Sequence, residues 1–148
     1  MTNEKKYKVI DHPSDIGIEA YGKDQKELFE NAAYGMMDMM YETSKYEITK
    51  SRISEEKSVL GHFSINVSAE NLESLLINWL SELLYLADSK KVALSYYDIT
   101  KINDKELEAK VLGVKIIGVK RFIKAATYNQ LEIKKEKGSW KSRIVFDV

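Results

Sequence analysis

Between Asn71 and Ala87 the chain reads NLESLLINWLSELLYLA, and its apolar residues fall on one side of a helix. Leu72, Leu75, Leu76, Trp79, Leu80, Leu83, Leu84 and Ala87 recur at three- and four-residue spacing. Asn71 is placed to cap this helix, because its side chain can accept from an orphan first-turn N–H. Glu73 and Glu82 lie off the stripe. A face of six leucines and a tryptophan needs a large apolar surface to cover it. The segment is therefore read as the core helix, and function has to come from residues held around it.

The flanking sequence supplies that surface. Residues 6–11 and 16–21 alternate like strands, joined by the turn sequence DHPSD, which holds the only proline. Asp24 followed by Glu27 signals a second helix. Its stripe of Leu28, Phe29, Ala32, Ala33, Met36, Met37 and Met40 is read as core rather than as a Met-rich docking surface. Residues 43–57 are charged and aperiodic and read as a loop. Residues 58–69 alternate again. After the core helix, closed by Lys90 and Lys91, strands are expected near 93–101, 106–114, 122–134 and 139–148. Hairpin turns are expected at Asn103-Asp104 and Lys137-Gly138. This order predicts an α+β fold, two helices packed on a largely antiparallel β-sheet. At 148 residues, one domain over 1–148 is expected.

Composition narrows the classes. There is no cysteine, which excludes disulfides and thiolate metal sites. No apolar run approaches a membrane span, and the N-terminus lacks the apolar centre of a signal peptide, so a cytoplasmic protein without a membrane role is expected. Net charge is zero but unevenly spread: residues 1–100 hold 11 basic and 17 acidic side chains, residues 101–148 hold 12 and 6. A neutral chain is a poor stand-alone nucleic-acid binder. The basic C-terminal third could face RNA, a nucleotide or an acidic partner, although solvated lysine-rich strand edges are the simpler reading.

Nucleotide-loop, dinucleotide, zincin and hydrolase-elbow motifs are all missing. With two histidines and no cysteine, a zinc site is under-supplied, and oxygen ligands for Ca²⁺ or Mg²⁺ remain. Asp15 lies in the turn before the second strand. Asp147 ends the last strand, facing away from Phe146 and next to the carbonyl and carboxylate of Val148. Together these oxygens would make half of a hard-cation shell; on spacing alone, two carboxylates that never meet is the simpler reading. Lys124, in the apolar run FIKAATY, can snorkel outward or hold a phosphate. Asp11 and His12 could form an acid/base pair, but a turn histidine more often bonds locally.

Four blocks, DHPSDIGIEAYG (11–22), ENLESLLINWLSELLYL (70–86), IKAATYNQLEI (123–133) and IVFDV (144–148), make the chain resemble the archease family. The resemblance implies a small α+β protein that is not itself an enzyme. It would be an accessory protein of an RtcB-type RNA ligase in tRNA splicing and RNA repair, promoting ligase guanylylation and repeated turnover. It would contact tRNA indirectly, through the ligase. It implies a divalent metal, Ca²⁺ by preference, held by Asp15, Asp147 and the carbonyl of Val148, and a functional lysine at Lys124. The chain departs from the family at His12-Pro13-Ser14-Asp15, where H-T-A-D is usual. Asn78 and Asn129 stand where an aspartate and a histidine are common, and the segment 113–121 is short. A second class is a tRNA-binding or chaperone-like modulator of a tRNA methyltransferase. A metal-dependent hydrolase ranks last, for want of a base or nucleophile.

Overall fold

The computed structural model describes residues 5–11, 15–43 and 59–148. Two helices organise it. Helix α1 spans Gln25–Met40 and helix α2 spans Leu72–Lys90. Asp24 caps α1 by accepting from the Glu27 N–H at 2.8 Å. Glu27 reaches back past the cap and accepts from the Lys23 N–H at 3.0 Å, a capping box displaced by one residue. Asn71 caps α2 by accepting from the Ser74 N–H at 2.8 Å. At the other end Lys91 turns into the left-handed region (φ 58°), and its N–H and that of Val92 donate to the Ala87 carbonyl.

The Met stripe of α1 is core: Met36, Met37 and Met40 are buried with Leu28, Phe29, Ala32 and Ala33. On α2, Leu75, Leu76, Trp79, Leu80, Leu83 and Ala87 are buried as the spacing predicts. Ile77 is buried as well, while Leu72 and Leu84 are only partly covered. The buried surface of α2 is thus wider than one stripe, because the helix packs on α1 and on strands of two sheets. Trp79 is fully buried, and its indole N–H donates to the Phe29 carbonyl at 2.9 Å, tying α2 to α1.

The strands are β1 (Tyr7–Asp11), β2 (Ile16–Gly22), β3 (Tyr41–Glu42), β4 (Val59–Ser68), β5 (Ala93–Ile102), β6 (Glu106–Val114), β7 (Gly118–Val119), β8 (Ala125–Glu136) and β9 (Ser139–Asp147). Every described pairing is antiparallel. They divide into a four-stranded sheet β1-β2-β9-β8, a three-stranded sheet β4-β6-β5 and a ribbon β3-β7. The α+β architecture is as expected, with the strands split between sheets. Two-residue strands carry no periodicity, so nothing in the sequence announces β3 or β7. The loop read at 43–57 lies, from residue 44 on, outside the described residues.

Both expected hairpin turns form. Asn103 Oδ1 accepts from the N–H groups of Lys105 and Glu106, each at 2.9 Å. Lys137 and Gly138 both take positive φ (49° and 79°), the primed two-residue turn that matches strand twist. Gly35 lets α1 lie close on the first sheet: a Cβ there would stand 2.8 Å from the Tyr7 ring and 3.0 Å from Ile18 Cδ1.

Two predictions follow from this packing. Trp79→Ala leaves a large cavity and removes the indole hydrogen bond to α1, and should cost about 3–5 kcal/mol in chemical denaturation. Burial pushes the Tyr97 hydroxyl well above the ordinary phenol value of 10.0, with Tyr34 and Asp38 adding to it. The folded chain therefore keeps a proton that the unfolded chain loses near pH 10, so this contribution is full below pH 10 and is lost as pH rises. Melting temperature should fall between pH 10 and 12, and Tyr97→Phe should shrink that fall.

Candidate functional site

The β2–β9 ladder fixes where the sequence-derived site residues stand. It runs from Ile16↔Phe146 to Gly22↔Trp140. Ile18, Ala20, Ile144 and Phe146 are fully buried on the side covered by α1. The alternate residues face the other way. On that second face the registers of β1, β2, β9 and β8 stack side chains into cross-strand rows. Ile10, Gly17, Val145 and Thr127 form an apolar row. Lys8, Glu19, Arg143 and Glu132 form a row of alternating charge, with Lys8 and Glu19 paired at 3.7 Å.

Asp15 immediately precedes Ile16 and Asp147 immediately follows Phe146, so both stand at the end of the ladder closed by the Ile16↔Phe146 pair, with Ala125 across from Asp147 on β8. The Lys124 N–H donates to the Asp147 carbonyl at 2.7 Å, so Lys124 joins the same sheet end beside Val148. Asp15 is partly buried; Lys124, Asp147 and Val148 are exposed. Among the described residues neither the Lys124 ammonium nor the Asp147 carboxylate has a hydrogen-bond or ion-pair partner. Three segments far apart in sequence thus reach one edge because β9 is paired on both sides. His12 lies outside the described residues, so the Asp11–His12 pair does as well.

Asp15 and Asp147 each adjoin the last β2–β9 pair, Ile16↔Phe146, and bring two like charges to one end of the sheet. A bound cation would offset this. Among the described residues no group of three or more histidine, aspartate or glutamate side chains could hold a metal. Asp15 and Asp147 are the two carboxylates expected to act at this end. Such an all-oxygen set suits Ca²⁺ or Mg²⁺.

The two family-variant asparagines have structural work here. Asn78 Nδ2 donates to the Ser68 carbonyl at 2.9 Å, fastening α2 to the end of β4. Asn129 lies in a wide bulge of β8, where the register jumps from Thr127↔Val145 to Glu132↔Arg143. Five residues of β8 advance against two of β9, so the odd excess flips which residues face outward. Ile133 turns inward and Lys134 outward as a result. Reading residues 122–134 as one strand missed that flip; the change in apolar parity between Ala126 and Ile133 was the signal.

The fold and this edge define a small two-helix α+β family. The family described as "Archease protein family (MTH1598/TM1083)" matches residues 7–148. "Protein archease" of Methanosarcina barkeri is 36% identical over 152 residues, covering 97% of each chain. The protein of that name from Thermoplasma acidophilum is 36% identical over 146 residues, covering 96% of this chain and 93% of its own. Among solved structures, Methanobacterium thermoautotrophicum protein 1598 superposes with a TM-score of 0.73 at 30% identity, covering 97% of this chain and 99% of its own. A Thermotoga maritima archease, titled a possible chaperone, shares the fold with a TM-score of 0.62 at 22% identity, covering 99% of this chain and all of its own. The chain belongs to the archease family.

Proposed function

We propose that this protein is a non-catalytic activator of an RtcB-type RNA ligase, working through the sheet end that carries Asp15, Lys124 and Asp147. Family membership supports the partner class. The observation that supports it is the Ile16↔Phe146 pair, which ends the β2–β9 ladder next to Asp15 and Asp147, with the Lys124 N–H donating to the Asp147 carbonyl. No helix of the described residues is long and apolar enough to cross a membrane.

Asp15, Asp147 and a Val148 oxygen would hold a divalent cation, Ca²⁺ by preference, and the cation would supply positive charge for a phosphate-bearing partner site. The chain's own groups do the rest. The carboxylates present negative charge on a rigid sheet edge. The Lys124 ammonium, without an ion pair among the described residues, would meet a phosphate as a point charge. The fixed register of β2, β9 and β8 holds these groups in one arrangement when the edge docks, which is where positioning gains rate.

Asp15→Ala, Lys124→Ala and Asp147→Ala should each cut stimulation of ligase guanylylation and turnover at least tenfold. Melting temperature should stay near the parent value, since none of the three contributes to the core. Combining them should add little if they act as one unit. Wild-type stimulation by the Asp15 and Asp147 variants would rule the reading out. Calcium at about a hundredfold over its dissociation constant should stabilise the parent by about 2.7 kcal/mol. Both aspartate variants should lose that gain.

A further inference from the structure

The opposite end of the same sheet face carries a row with no acid in it. Lys6, Tyr21, Lys141 and Lys134 lie side by side across β1, β2, β9 and β8: the Tyr21 N–H donates to the Lys6 carbonyl, Tyr21 pairs with Lys141, and Lys141 with Lys134. The neighbouring row, Lys8-Glu19-Arg143-Glu132, alternates in sign and is self-neutralising. Directly opposed Lys134 and Lys141 repel. Their relief comes only from the next row, where Glu132 approaches Lys134 at 3.4 Å. Glu19 accepts from the Tyr21 hydroxyl at 2.8 Å, which with burial pushes that phenol up to about 12.

This row floors a cleft of about 670 Å³ that also takes in Lys5, Lys23 and Lys137 from the surrounding turns. Lys5, Lys23, Lys137 and Lys141 have no ion pair among the described residues, while the Lys6 ammonium is turned onto the Tyr34 ring of α1, 4.2 Å from its centre. Two carboxylates line the cleft, and one of them, Glu27, is engaged by the Lys23 N–H. Trp140 lines it from the α1-facing side of β9, packed against the core, with the Lys135 ammonium 5.5 Å from its ring centre, so the cleft wraps round the end of the sheet and takes in Glu27 and Asn31 of α1. The cleft therefore combines excess cations, spread over three inter-strand spacings or roughly 14 Å, with aromatic surface.

We infer that this cleft binds the phosphates of a single-stranded nucleic acid, lysines meeting the backbone where it crosses the end of the sheet and Trp140 meeting a base on the α1-facing side. An acidic peptide would satisfy the charge but offers no flat ring for the aromatic wall, whereas a polynucleotide offers both. The cleft lies about seven residues along the ladder from Asp15 and Asp147, or roughly 24 Å. Binding there is independent of the acidic edge and of any ligase.

The test is fluorescence polarisation of the whole protein with a 12-nucleotide single-stranded RNA. Four lysine–phosphate contacts should give a salt slope near −3, so affinity should fall roughly 50-fold between 50 and 200 mM salt. Replacing the paired lysines, Lys134→Gln with Lys141→Gln, should weaken binding at least tenfold at 50 mM and shallow the slope by about 1.4. Lys134→Arg with Lys141→Arg should restore it. Lys101→Ala with Lys105→Ala, on the β5–β6 hairpin, should change it less than twofold. In NMR spectra RNA should shift the Trp140 indole signal and leave that of Trp79 in place. Absence of binding at 50 mM, or equal loss in the two lysine-neutralising double variants, would overturn the inference. So would competition by poly-glutamate or a nucleoside triphosphate as effective as the strand itself.

Discussion

The pairing of β2 with β9 is the contact on which the rest depends. It joins the second strand to the last and leaves β9 with partners on both sides, β2 and β8. One face of that ladder is sealed by α1, which approaches closely enough that Gly35 has no room for a side chain. The other face is left to carry charge. Because side chains alternate along a strand, fixing one β2–β9 pair fixes which residues of those two strands share each row, and the β8 bulge sets which β8 residue joins them. Acidic, apolar, mixed and basic rows then follow one another along a single surface, from Asp15 and Asp147 to Lys134 and Lys141.

Much of this was legible in the sequence, where a strong local rule acted without competition. The Leu and Trp stripe of α2, the Met stripe of α1, the two aspartate and asparagine caps and both hairpin turns each obey one spacing or one backbone preference. What escaped was set by tertiary contact. The β8 bulge reverses side-chain parity, and Gln130 takes a positive φ (56°) inside it. Tyr96 does the same (φ 53°) at the irregularity in β5 between Ser95 and Tyr97. Neither position carries glycine, so composition gives no warning. Ribbon β3-β7 is held by Val119 and Gly118 across from Tyr41 and Glu42, too short to leave a pattern.

The candidate edge was legible in a different sense. Spacing alone left Asp15 and Asp147 as two unrelated surface acids. Family resemblance grouped them, and the β2–β9 ladder ends at the Ile16↔Phe146 pair that both adjoin. The zero net charge likewise concealed an arrangement: along one sheet face β9 brings its one lysine, Lys141, and its aspartate, Asp147, to opposite ends of β2.

Ile16 and Phe146 pair across 130 residues of chain. Loop closure of that length must come before the contact rewards it, so this ladder belongs to the slow, late part of folding. During synthesis β2 emerges long before its partner, hydrogen-bonded on the β1 side and open on the other. The apolar side chains of Ile16 and Ile18 wait beside that bare edge. A chain stalled before β9 presents a strand ready to pair with a neighbouring nascent copy, so how quickly its last segment is delivered governs whether this protein folds or aggregates.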